Sequence, residues 1–312
     1  LGSYALTLSF DEKKHPGKSG IPAGYFDVED FRLPLMQARV QPPAGIQVTP
    51  PNLPFTLAVN YLSGGTANNL PVVLRSGYQP LWVELGEDYR SYSFLTGRVQ
   101  EGVFRSGSEY GEGEDYGQPS SEQAKLPKDL VRKELSLDRN GTGEIVVSPV
   151  ANISIPYQVT TELEYRDPNG EVQTVQGSAR VWPASIALGL KADNWTGERE
   201  RVSVKAVALS PSGEPLPHQR IEITLFQSKN YSHRKRLVGG FYGYENTLER
   251  KLVGPLCAGE TNEKGLFECS APVTLSGEVL LEARTQDDQG RVAATSTSAW
   301  IAGEDNWWFA QE

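Results

Sequence analysis

The sequence predicts an all-β protein built of tandem antiparallel β-sandwich modules. Three observations carry that expectation: apolar residues recur with period two, turn clusters punctuate the chain, and an internal repeat returns after about 120 residues. Length and composition agree with it. A chain of 312 residues suits two or more domains, and 38% apolar residues with 31 Gly and 21 Pro suit turn-rich cores.

The strands come first. Phe55, Leu57, Val59 and Tyr61 alternate with Thr56, Ala58 and Asn60. Val202, Val204 and Ala206 alternate with Ser203 and Lys205, and Ile221, Ile223 and Leu225 with Glu222 and Thr224. Such strands bury one face and wet the other, as in antiparallel sheets. Between them lie Asp138 to Gly141, Asp167 to Gly170, Pro211 to Gly213, Asn262 to Gly265 and Asp287 to Gly290. Asn and Asp tolerate left-handed backbone and Gly adopts it freely, so these read as hairpin turns.

The turns reveal the repeat. Leu135 to Gly141, a strand from Glu144 to Ser148, Val159 to Tyr165 and Gly177 to Trp182 return as Gly259 to Gly265, Leu266 to Ala271, Glu278 to Arg284 and Thr297 to Ile301. Phe55 to Tyr61 and Val72 to Arg75 likewise parallel Val202 to Leu209 and Ile221 to Phe226. This divides the chain into the last strands of a truncated module at 1–32, sandwiches at 33–183 and 184–303, and a linker at 304–312. Leu1 to Leu6 reads as mid-strand, without an initiator Met or a basic and apolar leader. Leu1 is therefore expected to be an internal position, with any targeting signal outside these residues.

Two stretches break the pattern. Gly97 to Gln123 is rich in Gly, Ser and acidic residues and reads as an exposed loop, with a protease-sensitive or partner-binding role as the alternative. Lys229 to Arg236, with His233, Arg234, Lys235 and Arg236, reads as a solvated loop. A net charge of −9 argues against nucleic-acid binding, and no apolar run is long enough to span a membrane.

No constellation for catalysis emerges. His15, His218 and His233 lack metal-ligand spacing with Cys, and phosphate-loop and nucleophile-elbow motifs are absent. Asp138 to Glu144 faintly suggests a calcium loop but lacks the ligand spacing, and a hairpin turn explains it. The sequence predicts no catalytic, cofactor-binding or metal-binding residues, and no enzyme. Sequons at Asn140, Asn152, Asn194 and Asn230 are a weak signal in turn-rich β proteins.

The two cysteines say more. Cys257 and Cys269 are equidistant from Glu263, inside the Asn262 to Gly265 turn. A hairpin closed there sets them opposite each other, close enough for a disulfide. Such a bridge stabilises by about 3 kcal/mol in the chain-entropy model and implies an oxidising compartment. Two reduced thiols in a cytosolic protein are the alternative. The corresponding Lys133 and Ile145 carry no cysteine, so the fold does not require the bridge.

Particular segments resemble those of a known family. Phe26-Asp27-Val28-Glu29-Asp30-Phe31-Arg32-Leu33-Pro34-Leu35-Met36 resembles the junction between consecutive macroglobulin-like domains of the α2-macroglobulin family. Val59-Asn60-Tyr61, Gly64-Gly65 and Leu70 to Arg75 resemble that family's next strand pair. Val204 to Val207, Gly213 to Pro217 and Ile221 to Phe226 resemble the same pair one domain on, and Trp300 to Trp308 resembles a segment of bacterial members. The resemblance implies macroglobulin-like, fibronectin-III-like sandwiches serving as scaffold of a bacterial, broad-range endopeptidase inhibitor that traps proteases. It implies a periplasmic location, with target endopeptidases engaged by the full-length protein and neighbouring domains of the same chain as partners. Membrane attachment is then expected only through a lipid anchor outside these residues, to the inner membrane. Neither Cys257-Ala258-Gly259-Glu260 nor Cys269-Ser270-Ala271-Pro272 fits the family's Cys-x-Glu-Gln thioester motif, so thioester and bait are expected elsewhere. A bacterial adhesin stalk and the accessory domains of a carbohydrate-processing protein are the alternatives.

Overall fold

Alternating side chains and left-handed turn residues set out twenty strands among the described residues. The computed structural model describes residues 2–9, 13–14, 20–28, 33–106, 126–127, 130–192, 196–197, 201–236 and 242–301. A hairpin, β1 (Gly2–Leu8) with β2 (Ile21–Val28), stands as a two-stranded sheet. The next strands are β3 (Met36–Gln41), β4 (Ile46–Val48), β5 (Leu53–Tyr61) and β6 (Pro71–Pro80). Two short strands follow, β7 (Ser93–Phe94) and β8 (Gly102–Ser106), and then β9 (Val131–Ser136), β10 (Thr142–Val147), β11 (Tyr157–Arg166) and β12 (Val172–Trp182). The last group is β13 (Ala187–Ala192), β14 (Thr196–Gly197), β15 (Arg201–Leu209), β16 (Arg220–Arg236), β17 (Tyr242–Glu260), β18 (Leu266–Pro272), β19 (Gly277–Gln286) and β20 (Val292–Ile301).

The repeat is topological as well as sequential. One sandwich packs a sheet ordered β10-β5-β3 against a sheet ordered β4-β12-β11-β6-β9. The other packs β18-β15-β13-β7 against β14-β20-β19-β16-β17-β8, the same order with one strand added to each sheet. All pairs are antiparallel except β4 with β12 and β14 with β20. These exceptions arise where the first strand of a module changes sheets. In the first sandwich the change follows Pro42 and Pro43, which have no N–H to continue the β3 ladder.

Each sandwich owns a core. Leu53, Phe55, Leu57 and Val59 are buried with Leu74, Tyr157, Val159 and Leu163 in the first. Val202, Val204 and Ala206 are buried with Ile221, Ile223, Leu225, Val279 and Leu281 in the second. Tyr61 departs from the predicted alternation: it ends β5 beside the Gly64–Gly65 turn and is exposed.

The turns correct the sequence reading. Asp167 to Gly170 and Asp287 to Gly290 do close hairpins, β11–β12 and β19–β20. The other three join strands of opposite sheets: β9 to β10, β15 to β16, and β17 to β18. Local chemistry is alike in both kinds. Asp138 Oδ1 accepts from the N–H groups of Asn140 and Thr142, as Asn262 Oδ1 does from those of Lys264 and Leu266. The sheet-crossing turns are recognisable only by what lies against them. Val59 N–H donates to Gly141 O and Ala208 N–H to Gly265 O, each at 2.9 Å.

That close approach makes two glycines irreplaceable. Gly141 and Gly265 have φ of +69° and +71°, and a Cβ on either would lie 2.5 Å from a backbone oxygen, Val59 O or Ala208 O. Gly213 has φ +90° but open space around it. Gly141→Ala and Gly265→Ala should each cost more than about 2 kcal/mol, and Gly213→Ala only about 1 kcal/mol, because clash adds to left-handed strain. Urea unfolding midpoints check the ranking.

Candidate functional site

The residues that join the two sandwiches come from a stretch without an obvious strand signal. After Pro80 the chain leaves the first sandwich. Leu81, Val83, Leu85, Tyr89 and Tyr92 pack against the second core, and Phe94 and Leu95 enter it. β7 adds to β13, with Phe94 opposite Gly189, and β8 adds to the edge of β17, with Ser106 opposite Asn246. The segment from β7 to β8 is a strap that reaches both sheets of the second sandwich and crosses the outer face of the larger one.

Polar groups hold the strap down. Thr295 Oγ1 donates to Ser93 O at 2.7 Å, and Ser296 N–H donates to Thr96 Oγ1 at 2.7 Å. Gly97 N–H donates to Ala294 O at 3.2 Å, and Leu252 N–H to Glu101 Oε1 at 3.1 Å. Beneath it lies Glu282, fully buried, accepting from Val99 N–H and from Arg284 Nε. Arg98 N–H donates to Ser154 Oγ of the first sandwich at 3.3 Å. Phe104 of β8 lies under the Arg250 guanidinium, 5.3 Å from ring centroid to Cζ.

The strap corrects the reading of Gly97 to Gln123 as loop throughout. Residues 102–106 are a strand, because β17 offers its edge to them; residues 107–123 lie outside the described residues. Lys229 to Arg236 is likewise strand and not loop, paired along its length with β17. A sequence signal existed in the apolar alternation of Leu81, Val83 and Leu85, ahead of Phe94 and Leu95, but its partners lie about 100 residues or more downstream.

Cys257 and Cys269 are joined, with Cα atoms 6.2 Å apart. The geometry differs from the predicted cross-strand pair. Cys257 on β17 sits opposite Ile223, and Cys269 on β18 sits opposite Val204, in the other sheet. The bridge therefore staples the two sheets of one sandwich at its corner, and neither sulfur remains a free thiol. Lys133 and Ile145 hold the corresponding places on β9 and β10.

The remaining candidates are spread apart. His218 is exposed, with φ 58° and Nε2 3.4 Å from Glu263 Oε1. His15 lies outside the described residues, and of His233 only the backbone is described. The Asp138 carboxylate is engaged by its own turn, with Oδ2 accepting from Thr142 Oγ1 at 2.8 Å. The hydrogen bonds from Thr142, backbone foremost, hold it below the usual carboxylate range. Among the described residues no three His, Cys, Asp or Glu side chains gather to hold a metal, and no helix is long and apolar enough to cross a membrane.

A second carboxylate device recurs in both modules, which the sequence reading noticed only as turns. Asp167 Oδ2 accepts from the N–H groups of Leu35 and Met36, at 2.8 and 3.1 Å. Asp287 Oδ2 accepts from Ser185 N–H and Oγ, both at 3.0 Å, and from Arg291 Nε at 2.7 Å. Each tethers the closing hairpin of its sandwich to the residues where that sandwich begins. Burial alone raises the pKa of Asp287, but the hydrogen bonds from Ser185 and Arg291 outweigh it and hold the carboxyl at about 2.

Comparison with known proteins shows where such a pair of sandwiches occurs. No protein-family model and no curated protein sequence matches the chain. Among solved structures it superposes on native Escherichia coli α2-macroglobulin with a TM-score of 0.61 at 16% identity, over 94% of this chain and 18% of that one. Salmonella α2-macroglobulin reacted with methylamine gives 0.60 at 15% identity, over 96% and 18%. The E. coli protein activated by porcine elastase gives 0.58 at 16%, over 98% and 24%. The likeness shows the fold: these are macroglobulin-like β-sandwiches. The chain spans about a fifth of the length of those proteins.

Glu282→Ala leaves the Val99 N–H without its acceptor, while Arg284, 36% exposed, keeps its charge in water, so the change should destabilise the second sandwich by about 1–3 kcal/mol. Hydrogen exchange at Val99 should accelerate with it, and unchanged exchange there would detach Glu282 from the strap. Asp287 should show in acid. Its folded pKa is depressed, so its stabilisation is complete above the ordinary carboxylate pKa near 4 and is lost as pH falls through about 2. The amount lost is about 2 kcal/mol. Unfolding followed from pH 5 to pH 2 should show that loss, and Asp287→Asn should flatten it while lowering stability at pH 7.

Proposed function

We propose that this chain is a scaffold segment of a bacterial α2-macroglobulin-like inhibitor of endopeptidases, itself without catalytic activity. The observation that carries the reading is that 94% or more of this chain, both sandwiches together, superposes on those proteins at TM-scores of 0.58 to 0.61. A likeness confined to one sandwich would fit many β proteins; two in succession fit far fewer. Under this reading the chain supplies architecture, and the bait and any thioester lie in other parts of the full-length protein. The disulfide-bonded cysteines support the same assignment, since they leave no thiol for a thioester and suit an oxidising compartment such as the periplasm. Target endopeptidases would be met by the whole protein and not by these modules alone.

The division at 1–32, 33–183 and 184–303 belongs to the same proposal. β1 and β2 precede β3 as β11 and β12 precede β13, which supports reading them as the closing hairpin of a preceding sandwich. Tyr4, Leu6, Leu8, Ile21, Phe26 and Val28 form one exposed apolar face on that hairpin, with Tyr4 stacked on Phe26 at 5.5 Å. Such a face suits burial against further strands, because a lone hairpin is marginal in water.

The test is made on the full-length product of the gene. Incubated with elastase, it should be cut at a restricted site, change its hydrodynamic size and shield the bound protease from large substrates. The 312-residue chain alone should do none of these and should take up no methylamine. A full-length protein that leaves elastase fully active on large substrates, without changing size, overturns the inhibitor reading.

A further inference from the structure

Consecutive residues of a strand point to opposite faces, and the last two of β12 are both buried, in different cores. Val181 packs into the first core and Trp182 into the second. At this seam a cleft of about 510 Å³ opens between the Thr49–Pro51 segment and the loop that follows β10. Two tyrosines fix that loop: Tyr78 donates its hydroxyl to Ser148 O, and Val150 N–H donates to the Tyr157 hydroxyl, both at 2.8 Å. The opposite wall is fixed by the β4–β12 pairing, which Thr49 N–H extends by donating to Trp182 O at 3.0 Å. The cleft is therefore preformed.

No described residue along this cleft is charged, although the chain carries 30 basic and 39 acidic residues. Four of the lining residues are Pro50, Pro51, Pro149 and Pro183, which have no N–H to donate. In this donor-poor wall stands Trp182, 3% exposed, whose Nε1 has no hydrogen-bond partner among the described residues. An indole has that one donor and no acceptor, so the polar capacity of Trp182 is wholly unmet. Arg250 Nε, the other described buried nitrogen without a partner, belongs to a side chain with further donors. Water does not relieve Trp182 either, because Nε1 is shielded from solvent. A buried donor in that state is costly and rare in folded proteins, which points to an acceptor brought from outside the chain's own core.

We propose that this cleft binds an uncharged, apolar peptide segment, one backbone carbonyl of which accepts from Trp182 Nε1. A peptide offers a strong acceptor at every residue, and apolar side chains on either side match a wall of proline, valine and isoleucine. A charged side chain would lose its water there and gain no partner, so acidic and basic segments are excluded. The volume falls within the range of ligand pockets, about 300–1,000 Å³, and holds a few residues. Nε1 meets its acceptor as the segment seats and the indole turns slightly toward it, a turn for which the cleft has room. This inference does not rest on the inhibitor reading.

Nuclear magnetic resonance of the 312-residue chain, labelled with nitrogen-15 at tryptophan and titrated with the blocked peptide acetyl-Leu-Pro-Leu-amide, tests it. Trp182→Phe identifies the Trp182 indole signal by its loss. In the unsubstituted chain that signal should move saturably to lower field, as an N–H does on gaining an acceptor. The charged counterpart acetyl-Glu-Pro-Glu-amide should leave it in place. Trp182→Phe keeps an aromatic body in the core and should weaken the uncharged peptide about fivefold, the scale of one neutral hydrogen bond. Ala151→Asp, at an exposed position of the lining, leaves the core untouched and should weaken it at least as much by bringing a carboxylate to the cleft. Trp82→Phe, exposed and outside the lining, is the control and should bind normally. The proposal is overturned if the uncharged peptide does not bind saturably, if it binds without moving the Trp182 signal, or if the charged peptide binds equally well.

Discussion

A carboxylate removed from water is costly unless charge and hydrogen bonds replace its solvation, and Glu282 is fully buried on what the repeat makes a solvent-facing position. Its counterpart one module earlier, Glu162, is 37% exposed and shares Arg75 with Glu164 in an open surface network. The two positions share strand, face and neighbours in the sheet. What separates them is the strap, which covers Glu282 and satisfies it with the N–H of Val99. The same cover accounts for Phe226, which lies on the outward face of β16 and is nevertheless buried. The joining of the modules therefore rests on a desolvated carboxylate whose partners come from both sides.

That arrangement changes what kind of tandem protein this is. Beads on a string meet through one linker and a small interface. Here the chain passes between the sandwiches three times: out through 81–92, back between β8 and β9, and forward again between Trp182 and Ala187. The first sandwich also lends strands to both sheets of the second. An element built into its neighbour in this way resists separation far more than a linker does.

The disulfide works on a different axis. Sandwich sheets adhere through apolar contact alone at most places, and a covalent link between β17 and β18 fixes their spacing at one corner. With Lys133 and Ile145 in the same places, the first sandwich holds its corner by the turn itself. Asp138 and Gly141 there match Asn262 and Gly265, so the bridge reinforces a geometry that backbone hydrogen bonds already specify.

Much of this was determined by sequence alone. Period-two burial placed β5, β15 and β16, because a half-buried strand writes its two faces directly into residue order. Asx side chains and glycines placed the turns, since those residues satisfy turn backbone with atoms only two to four residues away. The spacing of Cys257 and Cys269 about Glu263 brought the right two sulfurs together for a reason that needed revising. A turn that closes a hairpin and one that crosses between sheets have the same local chemistry, and only the strand lying against Gly265 decides which it is. The strap was hidden for the same physical reason. β8 gains its ladder from residues about 140 positions later in the chain, and Glu282 gains its burial from residues about 180 positions earlier. Short-range residue order determined strands and turns; which sheet each strand joins, and which charges lose their water, depend on contacts between distant residues and were decided only by the tertiary structure.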